Sequence, residues 1–392
     1  MLLSIALIFM FGMLSGWICK KIHLPSLLGM LLTGILLGPF VGNLLDGSIL
    51  NISSELRRIA LIIILTRAGL SLDINDLKKV GRPAVLMCFL PACLEIIGMT
   101  LIAPKLLGIS ILDAAIMGAV IAAVSPAVIV PKMIKLLDEG YGTTQGIPQM
   151  ILAGASVDDV FVIVMFSAFT GLAQGERISP MSFINIPVSI IVGILVGSLF
   201  GFGLTAFFQK FHMRDTVKVL LILSISFVLV SFEDKYSGII PFASLIAVMF
   251  VGILLRQKRS TVATRLSLKF NKLWVGAETV LFVLVGASVN ISYAKSAGLK
   301  AILLIFAVLA FRMVGVSLCT LKTKLTYQER LFCMIAYTPK ATVQAAIGGV
   351  PLAMGLGCGN IVLTVAVMAI IITAPLGAFA IECSYTKLLK KD

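Results

Sequence analysis

The sequence predicts an all-α, polytopic membrane protein of about 13 transmembrane helices, built as inverted repeats with two discontinuous helices. Three observations carry that prediction. Hydrophobic residues make up 59% of the 392 positions and charged residues only 13%, and the mean hydropathy is +1.09. The apolar runs recur at close to the ~20 residues that cross a bilayer. The lysines and arginines gather in the short segments between alternate runs. So apolar a chain cannot hide its surface in one water-soluble core, and lipid tolerates only structures that satisfy their own backbone hydrogen bonds.

The runs fall, in order, at 2–19, 24–45, 56–72, 83–103, 111–131, 147–171, 181–208, 216–232, 238–255, 273–290, 297–320, 329–350 and 359–382. The first has no basic residue before it, Lys20-Lys21 after it and no small-residue cleavage site, so it reads as a membrane span and not a signal peptide. Twenty-two of the 32 basic residues follow odd-numbered spans or lie in the C-terminal tail, against seven after even-numbered spans. By the positive-inside rule the N-terminus lies outside and the C-terminus in the cytoplasm of a plasma (inner) membrane. The net charge of +14 is therefore a matter of orientation. It comes without the continuous basic helix or aromatic-interleaved patch that nucleic acid requires.

Seven cysteines without a CxxC pair read as packing residues, and the two histidines, His23 and His212, fall in polar connections. Neither a disulfide framework nor a histidine metal site is expected.

An internal repeat emerges at an offset of 217 residues. Ser71-Leu72-Asp73-Ile74 closes span 3, and Ser288-Val289-Asn290-Ile291 closes span 10. Glu95 in span 4 matches Arg312 in span 11. With a slightly shorter loop, Ser125-Pro126-Ala127 in span 5 matches Thr338-Pro339-Lys340 in span 12. An odd number of spans separates the halves, so their topologies are opposed, as in many secondary transporters.

The chemistry centres on Asp158-Asp159, in mid-span 6. One ionisable residue at a helix centre costs roughly 2.5–3.5 kcal/mol on insertion scales, and here there are two in succession. A single buried carboxylate serves readily as half of a structural ion pair. Two adjacent ones repel unless a proton or a cation occupies the site, so the same oxygens accept either but not both. Pro126 and Pro339 interrupt spans 5 and 12, and a proline break frees carbonyls that a cation can use, although a lone membrane proline is often only a kink. Ser125 and Thr342 are candidate hydroxyl ligands. Glu95 and Arg312, lone charges of opposite sign in matched spans, are expected to pair. Lys340 can neutralise the negative end of a half-helix or pair with Asp158, and it can also release a proton when the cation arrives, since buried lysines titrate readily. Arg67 and Glu278 are expected to snorkel, and Gly29, Gly34 and Gly38 to mark close helix packing.

The strings Gly154-Ala155-Ser156-Val157-Asp158-Asp159-Val160, Ser125-Pro126-Ala127-Val128-Ile129-Val130-Pro131 and Pro339-Lys340-Ala341-Thr342-Val343-Gln344-Ala345-Ala346-Ile347-Gly348 resemble sodium/proton antiporters of the cation:proton antiporter superfamily, nearest to the NHA-type branch. Arg67-Ala68-Gly69-Leu70-Ser71-Leu72-Asp73 and Ile372-Thr373-Ala374-Pro375 extend the likeness along nearly the whole chain.

The resemblance implies a homodimer in membrane lipid that works as an elevator, with spans 5 and 12 crossing as unwound helices. Scaffold spans would occupy 1–80 and 211–295, core spans 81–175 and 296–385, and a linker span 176–210. Asp159 would carry Na+, Li+ or H+, Asp158 would support it, Glu95–Arg312 would brace the core and Lys340 would balance the crossover. No cofactor and no enzymatic activity are implied. Arg312 stands where many electrogenic members carry lysine, which leaves the charge balance of exchange open.

A potassium/proton antiporter and a sodium-coupled organic-anion carrier share this architecture. The absence of a large nucleotide-binding domain argues against a regulated potassium-efflux system. An intramembrane aspartyl protease needs its two aspartates on different helices, and here both are on one. A channel needs a continuous pore, which paired acids beside broken helices fit less well than alternating access.

Overall fold

The computed structural model describes residues 1–22, 24–72, 81–174, 180–236 and 242–391, with the side chains of Ser156, Val160, 180–187 and 291–297 left aside. His23, Asp73 and Ile74, and the side chains of Ser156, Val160 and Ile291, all named above, lie outside those described residues.

Among the described residues regular structure is helical, apart from one isolated antiparallel bridge between Tyr141 and Lys391. The helices are α1 (Leu2–Lys21), α2 (Ser26–Leu37), α3 (Gly47–Asn51), α4 (Ser53–Ser71), α5 (Arg82–Met87), α6 (Leu90–Leu107), α7 (Ile111–Ala122), α8 (Pro126–Glu139), α9 (Ile147–Ala173), α10 (Pro180–Lys210), α11 (Asp215–Tyr236), α12 (Ser244–Lys258), α13 (Ser260–Ala287), α14 (Ile291–Thr320), α15 (Tyr327–Ala336), α16 (Thr342–Ile347), α17 (Val350–Ala353) and α18 (Gly359–Leu388).

Each of the 13 expected spans falls on one or more of these helices. Nine stretches among the described residues are long and apolar enough to cross a membrane unaided. Spans 2, 3, 9 and 12 are the remaining four. α2 and α12 are short, α4 carries Glu55, Arg57, Arg58 and Arg67, and span 12 is split into α15 and α16.

Both breaks have local causes. Span 5 stops at Ala122 because Ala123 and Ser125 adopt extended backbone, and Pro126 restarts it at a position where the missing N–H costs nothing. Span 12 stops at Tyr337, and Pro339 holds its predecessor away from the helical region until Thr342 opens α16.

The chain forms two compact units. One comprises Met1–Ser54, Asp76–Gln174 and Thr279–Asp392, the other Glu55–Asn75 and Gly175–Glu278.

In the larger unit α6 and α14 pack with their backbones unusually close. A Cβ on Gly98 would meet the Phe311 ring at 2.6 Å, and one on Gly315 would meet Pro91 Cα at 2.6 Å. Gly98 and Gly315 obey the same 217-residue offset as Glu95 and Arg312, so the repeat extends to the glycines that let the two helices touch. α2 meets α1 at Gly29 and the end of α13 at Gly34 and Gly38, all without room for a Cβ, which agrees with the expected packing role.

In the smaller unit Gly69 of α4 abuts Met249 of α12, and Gly193 and Gly197 of α10 abut Ala243 and Ala247. Arg58 and Asp234 form a two-pronged ion pair at 2.7 and 2.6 Å. Arg67 and Glu278 correct the snorkelling expectation. Arg67 places its guanidinium over the Trp274 ring at 5.6 Å, and both charged residues are half-buried within each other's electrostatic reach. An aromatic face and an opposite charge close at hand compete with the route to water.

Candidate functional site

Asp158 and Asp159 lie near the middle of the unbroken 27-residue helix α9, at 0% and 7% exposure. Close packing fixes that helix in place. Gly154, one turn before the aspartates, has no room for a Cβ because the Tyr337 hydroxyl and Met87 occupy the space. The same hydroxyl donates to the Met87 carbonyl at 3.3 Å.

Around the aspartates the two helix breaks meet. The Ser125 amide donates to the Pro339 carbonyl at 2.8 Å, so the unwound stretches of spans 5 and 12 are bonded to each other. Each break leaves helix carbonyls that must find donors. Arg312 supplies several. Its Nε donates to the Tyr337 carbonyl at 2.7 Å, and one terminal nitrogen reaches the Ala122 carbonyl. The guanidinium also lies over the Tyr337 ring at 5.2 Å. Lys340 Nζ adds a long contact to Ala122 at 3.5 Å. Gln344 Nε2 donates to Ile121 at 3.0 Å and to Ala123 at 2.7 Å.

The expectation that the proline breaks leave carbonyls free for a cation is therefore corrected for Ile121, Ala122, Ala123, Tyr337 and Pro339. Each of these carbonyls accepts from the protein itself, because a buried carbonyl without a donor costs more than the hydrogen bond that satisfies it gains.

The charges form a chain. Arg312 donates to Glu95 Oε2 at 2.9 Å and to Asp158 Oδ2 at 2.8 Å. Lys340 Nζ donates to the same Glu95 oxygen at 2.6 Å. The Glu95–Arg312 pair is thus present as expected. The expected pairing of Lys340 with Asp158 is corrected: Lys340 pairs with Glu95, since Arg312 and the Val124 amide (2.9 Å) already hold Asp158 Oδ2. Its long contact to the Ala122 carbonyl keeps it at a half-helix end, as also expected. Asp159 makes no ion pair among the described residues. With every group ionised the cluster holds three carboxylates (Glu95, Asp158, Asp159) against two cations (Arg312, Lys340). It lacks one positive charge.

Several buried oxygens here have no hydrogen-bond partner among the described residues: Asp158 Oδ1, Asp159 Oδ1, Ser125 Oγ, Thr342 Oγ1, Glu95 Oε1 and Gln344 Oε1. Buried polar atoms are nearly always satisfied, so orphaned acceptors beside a charge deficit are what a hard monovalent cation or a proton would fill. No cluster of three or more His, Cys, Asp or Glu side chains that could hold a metal ion occurs among the described residues.

Three contributors were not singled out in sequence. Gln344 stood inside a quoted string, and its signal is an amide on an otherwise apolar half-helix. Tyr337 immediately precedes the second break. Thr373, two residues before Pro375, accepts from the Lys340 amide at 2.9 Å.

A polytopic helical protein with two mutually bonded broken helices around a buried carboxylate pair one charge short of neutrality is a secondary transporter of cations. Comparison with known proteins makes the class specific. The family model described as "Sodium/hydrogen exchanger, transmembrane" matches residues 5–382. Human sodium/hydrogen exchanger 9B2 is 34% identical over 94% of this chain and 70% of its own length. Human sodium/hydrogen exchanger 9B1 is 30% identical over 100% and 78%. Among solved structures, the sodium proton antiporter MjNhaP1 from Methanocaldococcus jannaschii superposes with a TM-score of 0.87 over 98% of this chain and 97% of that one. At 21% identity that likeness speaks for the fold. The chain belongs to the sodium/hydrogen exchanger family. It is a multi-pass membrane cation/proton exchanger and not an enzyme, and members of this family exchange Na+ and H+ without a cofactor.

Proposed function

We propose that this protein exchanges Na+ or Li+ for protons at Asp159, with Asp158 as its support, by an elevator movement of the core. The observation that carries the reading is the single missing positive charge beside orphaned buried oxygens. Asp158 is held by Arg312 and a backbone amide, which fixes its position. Asp159 has no such partner among the described residues, and its charge is left for a proton or a cation to neutralise. A proton bound there removes the charge that attracts the cation, and a bound cation expels the proton. That competition couples the two flows. Ser125 and Thr342 supply neutral oxygens to the dehydrated ion.

The matched breaks, bonded at Ser125 and Pro339, support the segments 81–175 and 296–385 moving as one core. Segments 1–80 and 211–295 then form the scaffold of a homodimer, with 176–210 as linker. The basic loops support an N-terminus outside and a C-terminus in the cytoplasm of the plasma membrane.

The direct test is proton release on binding. Purified protein in a weakly buffered solution should acidify it when NaCl or LiCl is added, and the Asp159→Asn variant should not. Release with potassium but not sodium would move the reading to potassium/proton exchange. Cation binding with no proton release would favour a sodium-coupled carrier of an organic anion.

A further inference from the structure

We infer that Gln344 is a specificity-determining positioning residue, which holds one peptide unit so that the transported cation meets side-chain oxygens and is denied backbone carbonyls. The inference rests on the exchange reading above and concerns how the same site chooses its ion.

The peptide in question joins Ala123 to Val124, immediately after α7. In a trans peptide the carbonyl and the N–H point in opposite directions. Here the N–H donates to Asp158 Oδ2 at 2.9 Å and the carbonyl accepts from Gln344 Nε2 at 2.7 Å. Asp158 and Gln344 therefore grip opposite edges of one plane. The same Nε2 donates to the Ile121 carbonyl at 3.0 Å, and so both amide hydrogens are used. That fixes the sense of the amide, because a flipped Gln344 would set its oxygen against two carbonyl oxygens. The side chain is fully buried and its Oε1 has no partner among the described residues. With Arg312 and Lys340 on the Ala122 carbonyl, the last two carbonyls of this half-helix and the one that follows are all committed.

A helix end normally offers those carbonyls to a bound cation, and transporters with broken helices use them. Withholding them leaves carboxylate and hydroxyl oxygens. Charged oxygens exert a strong field and reward a small ion for losing its water, whereas amide carbonyls exert a weaker one that suits a larger ion. Gln344 would thus favour sodium over potassium without touching either ion. Its loss would let the Ala123–Val124 peptide turn, loosen the donor on Asp158 and add weak-field oxygens.

The test measures proton movement driven by sodium and by potassium in dye-loaded proteoliposomes, comparing wild type with Gln344→Met, which matches glutamine in length but has no donor. The ratio of KM for potassium to KM for sodium should fall about fivefold or more, while kcat for sodium changes less. Gln344→Asn, one methylene shorter, should fall between. An unchanged ratio in Gln344→Met, with only thermal stability reduced, would overturn the inference and leave Gln344 a brace. If Gln344→Met cannot be recovered in monodisperse form, the Gln344→Asn ratio decides. A wild type that moves no protons with either ion would instead sink the exchange reading itself.

Discussion

Arg312 makes more of the core's polar contacts than any sequence reading of a lone arginine suggests. It donates to Glu95, Asp158 and the carbonyls ending both half-helices, at 1% exposure. Removing one partner from such a buried network leaves the others uncompensated, at a cost of about 3–5 kcal/mol. Glu95→Gln and Arg312→Gln should each lower the thermal stability of the purified protein strongly, and the double variant should lose less than their sum by about 0.5–3 kcal/mol. Strictly additive losses would mean that the two side chains act independently.

Which of these residues the sequence disclosed follows from the physics. Asp158, Asp159, Glu95 and Arg312 stand out because charge is costly in lipid, and Pro126 and Pro339 because they cannot continue a helix. Gln344, Tyr337 and Thr373 do not stand out, since uncharged polar residues are tolerated in membrane helices. Their roles come from partners 223, 250 and 33 residues away in the chain. Lys340 was expected on Asp158 and lies on Glu95 instead for the same reason, as that partner is 245 residues away in the chain and only the fold brings it near.

At the scale of elements, the repeat supplied more than expected and the breaks supplied less. The 217-residue offset linked Glu95 to Arg312 and, once the helices are seen together, Gly98 to Gly315. Proline, by contrast, reveals where a helix breaks but not what satisfies the ends, and here the protein satisfies most of them itself.

The packing of α9 against the second break gives a prediction of its own. Gly154→Ala should lower the melting temperature, because its methyl meets the Tyr337 hydroxyl and Met87. Tyr337→Phe in the same chain should restore part of the loss. No recovery in the double variant would show that the clash lies elsewhere.

A second element-level prediction concerns the end of α18. Leu389 is buried in the core beside Leu136 and Ile147, the Lys390 carbonyl accepts from the Gly142 amide at 2.9 Å, and Tyr385 meets Tyr141 edge-on at 5.0 Å. These contacts pin the turn that leads into α9. Leu389→Asp should speed amide hydrogen exchange in residues 140–147, and unchanged protection there would show that the tail does not hold the turn.

For the whole molecule, the apolar runs and their charge-bearing connections fixed the class, because the bilayer permits so few backbones. Spans 2, 3, 9 and 12 were legible despite being too short, too charged or too broken alone, since the alternation of basic loops requires them. The charge count extends to stoichiometry. Arg312 and Lys340 are both paired with carboxylates, so if Asp159 alone carries the moving charge, as proposed, exchange should be one for one. Sodium-driven proton flux in proteoliposomes should then be the same with the membrane potential clamped at zero or at an inside-negative value. A flux that responds to the potential would bring Lys340 in as a second titrating group.

The proposal that Asp159 carries proton and cation in turn can be tested with one variant in a reconstituted membrane. Protein in dye-loaded proteoliposomes with a preset pH gradient is challenged with sodium, lithium and potassium in turn, alongside Asp159→Asn shown by size-exclusion chromatography to be folded. Sodium or lithium should dissipate the gradient in the wild type and leave it intact in the variant. Exchange retained by folded Asp159→Asn would contradict the proposal.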